Sequence, residues 1–264
     1  IAESIYTRAS AAGKRCQALG GAKNHAIIMP DADMDNAVSQ LVGAAFGSSG
    51  ERCMALSVAV AVGDAAADAF ISKMQDKMTE LTIGVASDAS SDFGPLITAQ
   101  HKAKVVGYID SAEHDGAQVV VDGREHKVDG FESGFFVGAT LIDRVSAQMS
   151  CYQEEIFGPV VAVTTFSNTN EAIWMVNNTG YGLSSAIYTS DVNLSFRFLN
   201  EAETGMVYVN ASTIGAEIQL PFGGIKGTGN GHRDAGSSMI DNCTENKSCM
   251  IDFSGKVQKA QIDE

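Results

Sequence analysis

The 264-residue chain is short of positive charge: 18 Lys and Arg stand against 32 Asp and Glu, a formal net charge of -14. That balance sets nucleic-acid backbones and anionic membrane surfaces aside as partners, because both need a cationic footing. Cysteines are few and scattered, at positions 16, 53, 151, 243 and 249, with no CxxC pair and no histidine at metal-ligand spacing. So dispersed and odd a set excludes a disulfide framework and a structural zinc site, and no metal is expected. No apolar run approaches the roughly 20 residues that span a bilayer. The opening IAESIYTRAS lacks the basic flank and apolar segment of a signal peptide, so a cytoplasmic protein is expected. With 45% hydrophobic residues, the chain has apolar material for one large domain or two smaller ones.

What the sequence does contain is a sustained rhythm of helix and strand patterns. IAESIYTRASAAG has helical spacing and a stop near Gly13, RCQAL reads as a strand, and a Gly-Gly turn leads into the apolar strand HAIIM. In PDADMDNAVSQLVGAAFG, Asp31 or Asp33 can cap a helix whose apolar residues recur at Met34, Ala37, Val38 and Leu41. SVAVAV is a buried-type strand, DAAADAFISKMQDKMTEL a helix, and KAKVVGYIDSAEHDG followed by AQVVVDG repeats the order. The alternation continues through VVAVTTF, NEAIWMVNN, SSAIYT, NLSFRFLNEA and GMVYVN. Such alternation predicts an α/β fold with a largely parallel sheet.

The stretch 221–236, PFGGIKGTGNGHRDAG, breaks the rhythm. Glycines at 223, 224, 227, 229, 231 and 236, with Gly215 before them, crowd one loop region. Two uses are open for it, a phosphate cradle or a tightly folded loop at an active site or interface. The loop is favoured, since the run does not follow a strand and lacks an acidic residue at the usual downstream distance.

Chemistry concentrates at LVGAAFGSSGERCMALS, where a single cysteine, Cys53, follows a small-residue loop and precedes the strand SVAVAV. Backbone N–H groups of such a loop can lower a thiol pKa and stabilise an oxyanion. On composition alone, a small core residue is the better reading of Cys53, since free cysteines are usually buried and inert.

GSSGERCMALS, CYQEEIFGPVVAV at 151–163 and LPFGGIKGTGNG at 220–231 together resemble the aldehyde dehydrogenase superfamily, in the superfamily's order. LGGAKNHAIIMPDADMD at 19–35, GPLIT at 94–98, YGLSSAIYT at 181–189 and GMVYVN at 205–210 extend the resemblance over nearly the whole chain. Over the first 160 residues it is closest to the methylmalonate-semialdehyde dehydrogenases, whose GAKNH, MPDADMD, GERCMALSVAV, KVVGYID and VVDGR strings are echoed here.

The resemblance implies a three-layer αβα catalytic domain at residues 19–228, preceded at 1–18 by the tail of a dinucleotide-binding domain. A C-terminal return segment and oligomerisation strand would occupy 229–264. Cys53 matches the nucleophile that forms a thiohemiacetal and then a thioester with an aldehyde substrate, and dividing the oxidation this way eases both steps. Glu155 matches the carboxylate that binds the nicotinamide ribose of NAD, and Phe157 a ring that packs near the cofactor. The plainer alternative makes Glu154 and Glu155 a solvated turn. Phe222 matches an aromatic wall of the substrate pocket, or is a core phenylalanine. Arg52 matches an arginine implicated in holding a substrate carboxylate, which suits a semialdehyde such as methylmalonate or malonate semialdehyde; alternatively, Arg52 pairs with Glu51 or another acid.

Three departures matter. Hydrolytic members carry a glutamate in an ELGG string that activates water, and here Ala18 of Gln17-Ala18-Leu19-Gly20-Gly21 stands at its place, with the register open by one residue. The methylmalonate-semialdehyde enzymes also lack it and pass the acyl group to coenzyme A, whose thiol needs less activation. Coenzyme A is therefore the expected co-substrate, with hydrolysis as the rival outcome. GAEIQLPFGGIKGTGNGHRDAG and CTENKSCMIDFSGKVQKAQID look more like hydrolytic members acting on other semialdehydes. MIDFSGKVQKAQ reads as an edge strand that a neighbouring subunit would cover, implying a homodimer or homotetramer. The superfamily's N-terminal half, with most of the NAD domain and the oxyanion-hole asparagine, has no counterpart here. The chain is therefore expected to be a fragment that binds NAD poorly by itself, cytoplasmic or, in a eukaryote, in the mitochondrial matrix. A non-catalytic structural remnant is the alternative from another class.

Overall fold

A computed structural model describes residues 1–255. Helix α1 (Ala2–Ala11) buries none of its residues, and the irregular segment after it leads to strand β1 (Asn24–Ile28). Helix α2 (Met34–Phe46) starts where Asp33 accepts a hydrogen bond from the Asn36 N–H at 3.0 Å, the cap expected from the sequence. There follow β2 (Leu56–Val62), α3 (Asp64–Met78), α4 (Ala99–His114), β3 (Gln118–Val121), β4 (Thr140–Asp143), the single turn α5 (Ser150–Gln153) and β5 (Val160–Phe166). Then come α6 (Thr169–Asn177), β6 (Tyr181–Gly182), β7 (Ser184–Tyr188), α7 (Val192–Glu201), β8 (Met206–Val209), β9 (Ile225–Lys226) and α8 (Ser238–Cys243).

Seven strands form one sheet in the order β3-β4-β5-β2-β1-β7-β8, parallel except for the antiparallel edge pair β3 and β4. Helices cover both faces, as a parallel sheet requires. The period-2 alternation of β2 decides what each face receives. Val58, Val60 and Val62 join Ile27, Val160 and Ile187 under α4, α6 and the buried Phe198 of α7. Ala59 lies with Ala26, Ala186 and Val161 against the small residues Ala37, Ala44 and Ala45 of α2, with Phe70 and Met74 of α3 beside them. The three-layer αβα architecture predicted from the sequence is thus present. Among the described residues no helix is long and apolar enough to cross a membrane.

Two expected strands need correction. RCQAL forms none: residues 14–18 are irregular, and Leu19 makes a single isolated bridge to Gly229. Their partner is the glycine-rich loop, not a strand. Asn230 donates to Cys16 O at 2.7 Å and accepts from the Ala18 N–H at 3.2 Å, while the Gly20 N–H donates to Thr228 O at 2.7 Å. A side-chain amide here satisfies backbone groups that a ladder would otherwise serve. Of the expected C-terminal edge strand 250–261, residues 250–255 are exposed and irregular, and 256–261 lie outside the described residues.

Candidate active site

The sequence after α2 folds tightly because three successive residues are left-handed: Ser48 (φ 54), Ser49 (φ 59) and Gly50 (φ 69). Ser49 is buried, and its hydroxyl donates to Gly94 O at 2.7 Å. Gly50 has no room for a side chain, since a Cβ there would stand 2.2 Å from Gly158 O. The GSSGERC loop and the EEIFGPV segment are therefore pressed backbone to backbone.

From that loop the chain makes a turn, with the Ala55 N–H donating to Arg52 O at 3.1 Å, and enters β2. Met54, Ala55 and Leu56 are buried while Cys53 is exposed, so the thiol stands out from a turn whose flanks are anchored. Two buried polar side chains fix its backbone. The Asn24 amide donates to Cys53 O and to Ala55 O, each at 2.9 Å, and the Thr213 hydroxyl donates to Met54 O at 2.8 Å. Buried donors left unpaired would be costly, so these bonds hold the turn firmly.

Glu155 and Phe157 come to the same pocket, which Ala22, Lys23, Asn24, Arg52 and Cys53 also line. The Glu155 carboxylate accepts from the Ala22 N–H at 3.0 Å through Oε1. Oε2 faces Gly21, where an added Cβ would sit 2.8 Å from it. Burial raises the Glu155 pKa, opposed by the Ala22 N–H and the nearby Lys23 ammonium. No protein donor among the described residues reaches Oε2, so half of this carboxylate is free to accept from a ligand hydroxyl. The Phe157 ring is 38% exposed. A free carboxylate oxygen beside an open aromatic ring fits the ribose and ring of a nicotinamide cofactor. Glu155 is half-buried and Glu154 exposed, so of the two only Glu155 turns into the pocket.

Lys23 went unnoticed in the sequence. Its ammonium is buried and donates to Cys151 O and Glu154 O, each at 2.7 Å, which holds the residues leading into Glu155. Burial lowers its pKa to about 8. The signal was there in GGAKNH, three polar residues at the mouth of an apolar strand, a poor place for them without a task. His25 of the same string is buried between Lys23 O at 2.8 Å and the Tyr152 hydroxyl at 3.0 Å, and burial lowers its pKa to about 3.

Arg52 lines the pocket and does not pair with Glu51 or another acid among the described residues. Its guanidinium folds over Gly47, with Nε donating to Ser48 Oγ at 3.2 Å and Nη1 to Gly43 O at 3.5 Å. No carboxylate stands within ion-pair distance of it among the described residues; the carbonyl end of α2 takes the acid's place. Phe222 does not line the pocket around Cys53. It is half-buried one layer away, against Ala22, Met54 and Leu183.

Ala18 is buried, Leu19 is 43% exposed, and residues 16–22 offer no carboxylate in either register. Glu155 is the carboxylate that lines the pocket. Cys151 is buried, with its thiol pKa raised by that burial, whereas Cys243 and Cys249 are exposed. Among the described residues no group of three or more His, Cys, Asp or Glu side chains is placed to hold a metal ion.

Residues 1–249 match the model of the aldehyde dehydrogenase family. The malonate-semialdehyde dehydrogenase of Pseudomonas aeruginosa is 52% identical over 86% of this chain and 46% of its own length. The mitochondrial, acylating methylmalonate-semialdehyde/malonate-semialdehyde dehydrogenase of Rattus norvegicus is 43% identical over 84% of this chain and 41% of its own. A solved structure of a candidate methylmalonate-semialdehyde dehydrogenase from Sinorhizobium meliloti, complexed with NAD, superposes with a TM-score of 0.89 at 42% identity, covering 91% of this chain and 49% of that one. The chain thus spans about half the length of the curated relatives it matches.

Proposed function

The chain belongs to the aldehyde dehydrogenase family, and on that premise we propose that it carries the catalytic half of an NAD-dependent semialdehyde dehydrogenase with Cys53 as nucleophile. The observation that carries this is the exposed Cys53 thiol on a turn clamped by Asn24 and Thr213, in one pocket with Glu155 and Phe157. In this scheme the Cys53 thiolate attacks the aldehyde carbon, forming a C–S bond and leaving a thiohemiacetal alkoxide. NAD, when bound, supplies the hydride acceptor for the oxidation that leaves a thioester on Cys53. Glu155 would hold the ribose hydroxyls through its free Oε2, and the Phe157 ring would pack against the cofactor. Residues 19–228 form the catalytic domain, 1–18 the tail of a cofactor domain, and 229–264 a return and assembly segment of a homodimer or homotetramer.

The substrate is a malonate or methylmalonate semialdehyde, as the names of the Pseudomonas and Rattus proteins suggest. Arg52 lines the same pocket as Cys53, and its Nη2, which bonds to neither Ser48 nor Gly43, is the donor placed to meet the acid group. The acyl group passes to the thiol of coenzyme A, which attacks the thioester and releases Cys53. Two observations support acyl transfer: residues 16–22 hold no water-activating carboxylate, and the Rattus relative is named as acylating. The protein works in the cytoplasm, or in the mitochondrial matrix of a eukaryote. The test assays the full-length gene product with malonate semialdehyde and NAD, with and without coenzyme A. Turnover that collapses without coenzyme A supports acyl transfer; undiminished turnover gives the hydrolytic reading. Alkylation separates both from a non-catalytic remnant. Cys53 should react ahead of Cys243 and Cys249, which are also open to solvent, and equal rates would favour the remnant.

A further inference from the structure

The turn that carries Phe157 does not hold itself. Phe157 sits at φ 58, a region that a phenylalanine keeps only when its surroundings fix it. Its exposed ring offers little of that support. The Gly50–Gly158 approach fixes one side of the turn, and His101 fixes the other.

His101 lies in the first turn of α4, where its backbone N–H donates to the capping Thr98 hydroxyl at 3.1 Å. The base of its side chain is thereby set. Nε2 is 2.6 Å from Phe157 O and 3.5 Å from Glu51 Oε1. Both neighbours are acceptors, so Nε2 carries the hydrogen and donates to Phe157 O. The imidazole also meets the Phe157 ring edge-on, with centroids 6.3 Å apart at 62°. The side chains of His101 and Glu51 are only 21% and 11% exposed. One imidazole thus ties the Phe157 turn to α4, with Glu51 of the thiol loop 3.5 Å from the same nitrogen.

We propose that His101 is a positioning residue, which holds Phe157 in the orientation that receives the cofactor. The inference rests on Phe157 being the ring against which the cofactor packs. Glutamine can place an N–H where His101 has Nε2; alanine and methionine cannot.

Steady-state kinetics of the full-length gene product test the inference, with thermal unfolding as the check on folding. His101→Ala should raise KM for NAD about tenfold, the scale of one lost hydrogen bond, with kcat held within about threefold. His101→Gln should return KM for NAD most of the way to wild type. If His101→Ala fails to fold, His101→Met, which keeps the bulk without the donor, carries the same expectation. Phe157→Leu is the reference. If it raises KM for NAD and His101→Ala does not, His101 has no positioning role while the cofactor site stands. If neither raises it, the cofactor reading itself fails and takes this inference with it. Equal losses in every kinetic parameter that glutamine does not rescue would mark His101 as a general structural residue and overturn the proposal.

Discussion

The two ends of the sheet present two different depressions. At the amino ends of β1, β2 and β5 lies a narrow pocket with room for about 10 Å³, lined by Lys23, Asn24, Arg52, Cys53, Glu155 and Phe157. At the carboxyl ends of β4 and β5, between α3 and α6, an open groove of about 870 Å³ runs past Asp68, Arg144, Gln148, Trp174 and Asn178. Parallel α/β folds ordinarily bind ligands at the carboxyl ends of their strands, and here the larger space lies there too. The proposed chemistry lies at the other end. Around the narrow pocket the buried polar side chains of Lys23, Asn24 and Thr213 are all spent on backbone carbonyls. Ser48, Ser49 and Phe157 hold left-handed backbone beside them, and a titratable group and an open aromatic ring converge on one thiol. The groove offers an exposed tryptophan and one left-handed residue, Arg144. Organised backbone, more than volume, marks the site.

The comparison breaks most sharply at Cys53. Cys53→Ser in the full-length gene product should lower aldehyde oxidation on the order of 10⁴-fold or more, as loss of a covalent nucleophile does. Cys243→Ser should change it less than about twofold; steady-state rates on both variants check the contrast. Next comes Gly50→Ala, which sets a Cβ against Gly158 O at a backbone of φ 69. It should cost roughly 1–3 kcal/mol in urea unfolding and also lower activity, because the thiol loop must shift.

His25 gives a smaller effect with a definite sign. Burial holds its folded pKa at about 3, below the ordinary 6.5. Below pH 6.5 the unfolded chain takes up a proton that the folded imidazole refuses, so stability falls as pH drops from 6.5 toward 3. Between pH 6.5 and pH 5 this amounts to about 2 kcal/mol. His25→Gln should lose less stability than wild type between those two pH values, measured by urea midpoints; an equal loss would contradict a neutral buried His25. The smallest effect is expected in the groove. Trp174→Ala should leave kcat and KM within about twofold and stability within roughly 0.5 kcal/mol, as exposed substitutions do. A large kinetic effect there would move functional weight to the carboxyl end.

The alternating elements were legible because their apolar periods are strong. HAIIM, SVAVAV and VVAVTTF became β1, β2 and β5, and Asp33 capped α2 as its place before an apolar helix suggests. RCQAL misled because its apolar residues serve a loop, where Asn230 and Thr228, more than 200 residues away in sequence, supply the hydrogen bonds. β4 was missed because TLID holds only two apolar residues, side by side between Thr140 and Asp143, where β3 (QVVV) and β8 (MVYV) carry longer apolar runs. In the site, Cys53, Glu155 and Phe157, which the motifs single out, line one pocket. The Arg52 orientation was not legible, since it depends on where the left-handed turn puts the Ser48 hydroxyl and the Gly43 carbonyl. Lys23, Asn24 and His101 act through backbone carbonyls far along the chain, a partnership that residue type and spacing do not reveal.

The most direct test is to mix the full-length gene product with malonate semialdehyde and NAD, omit coenzyme A, quench, and map acyl adducts by peptide mass. An adduct on Cys53 that disappears when coenzyme A is added is the predicted result. No adduct, or one on Cys16, Cys151, Cys243 or Cys249, would contradict the assignment of Cys53 as the nucleophile.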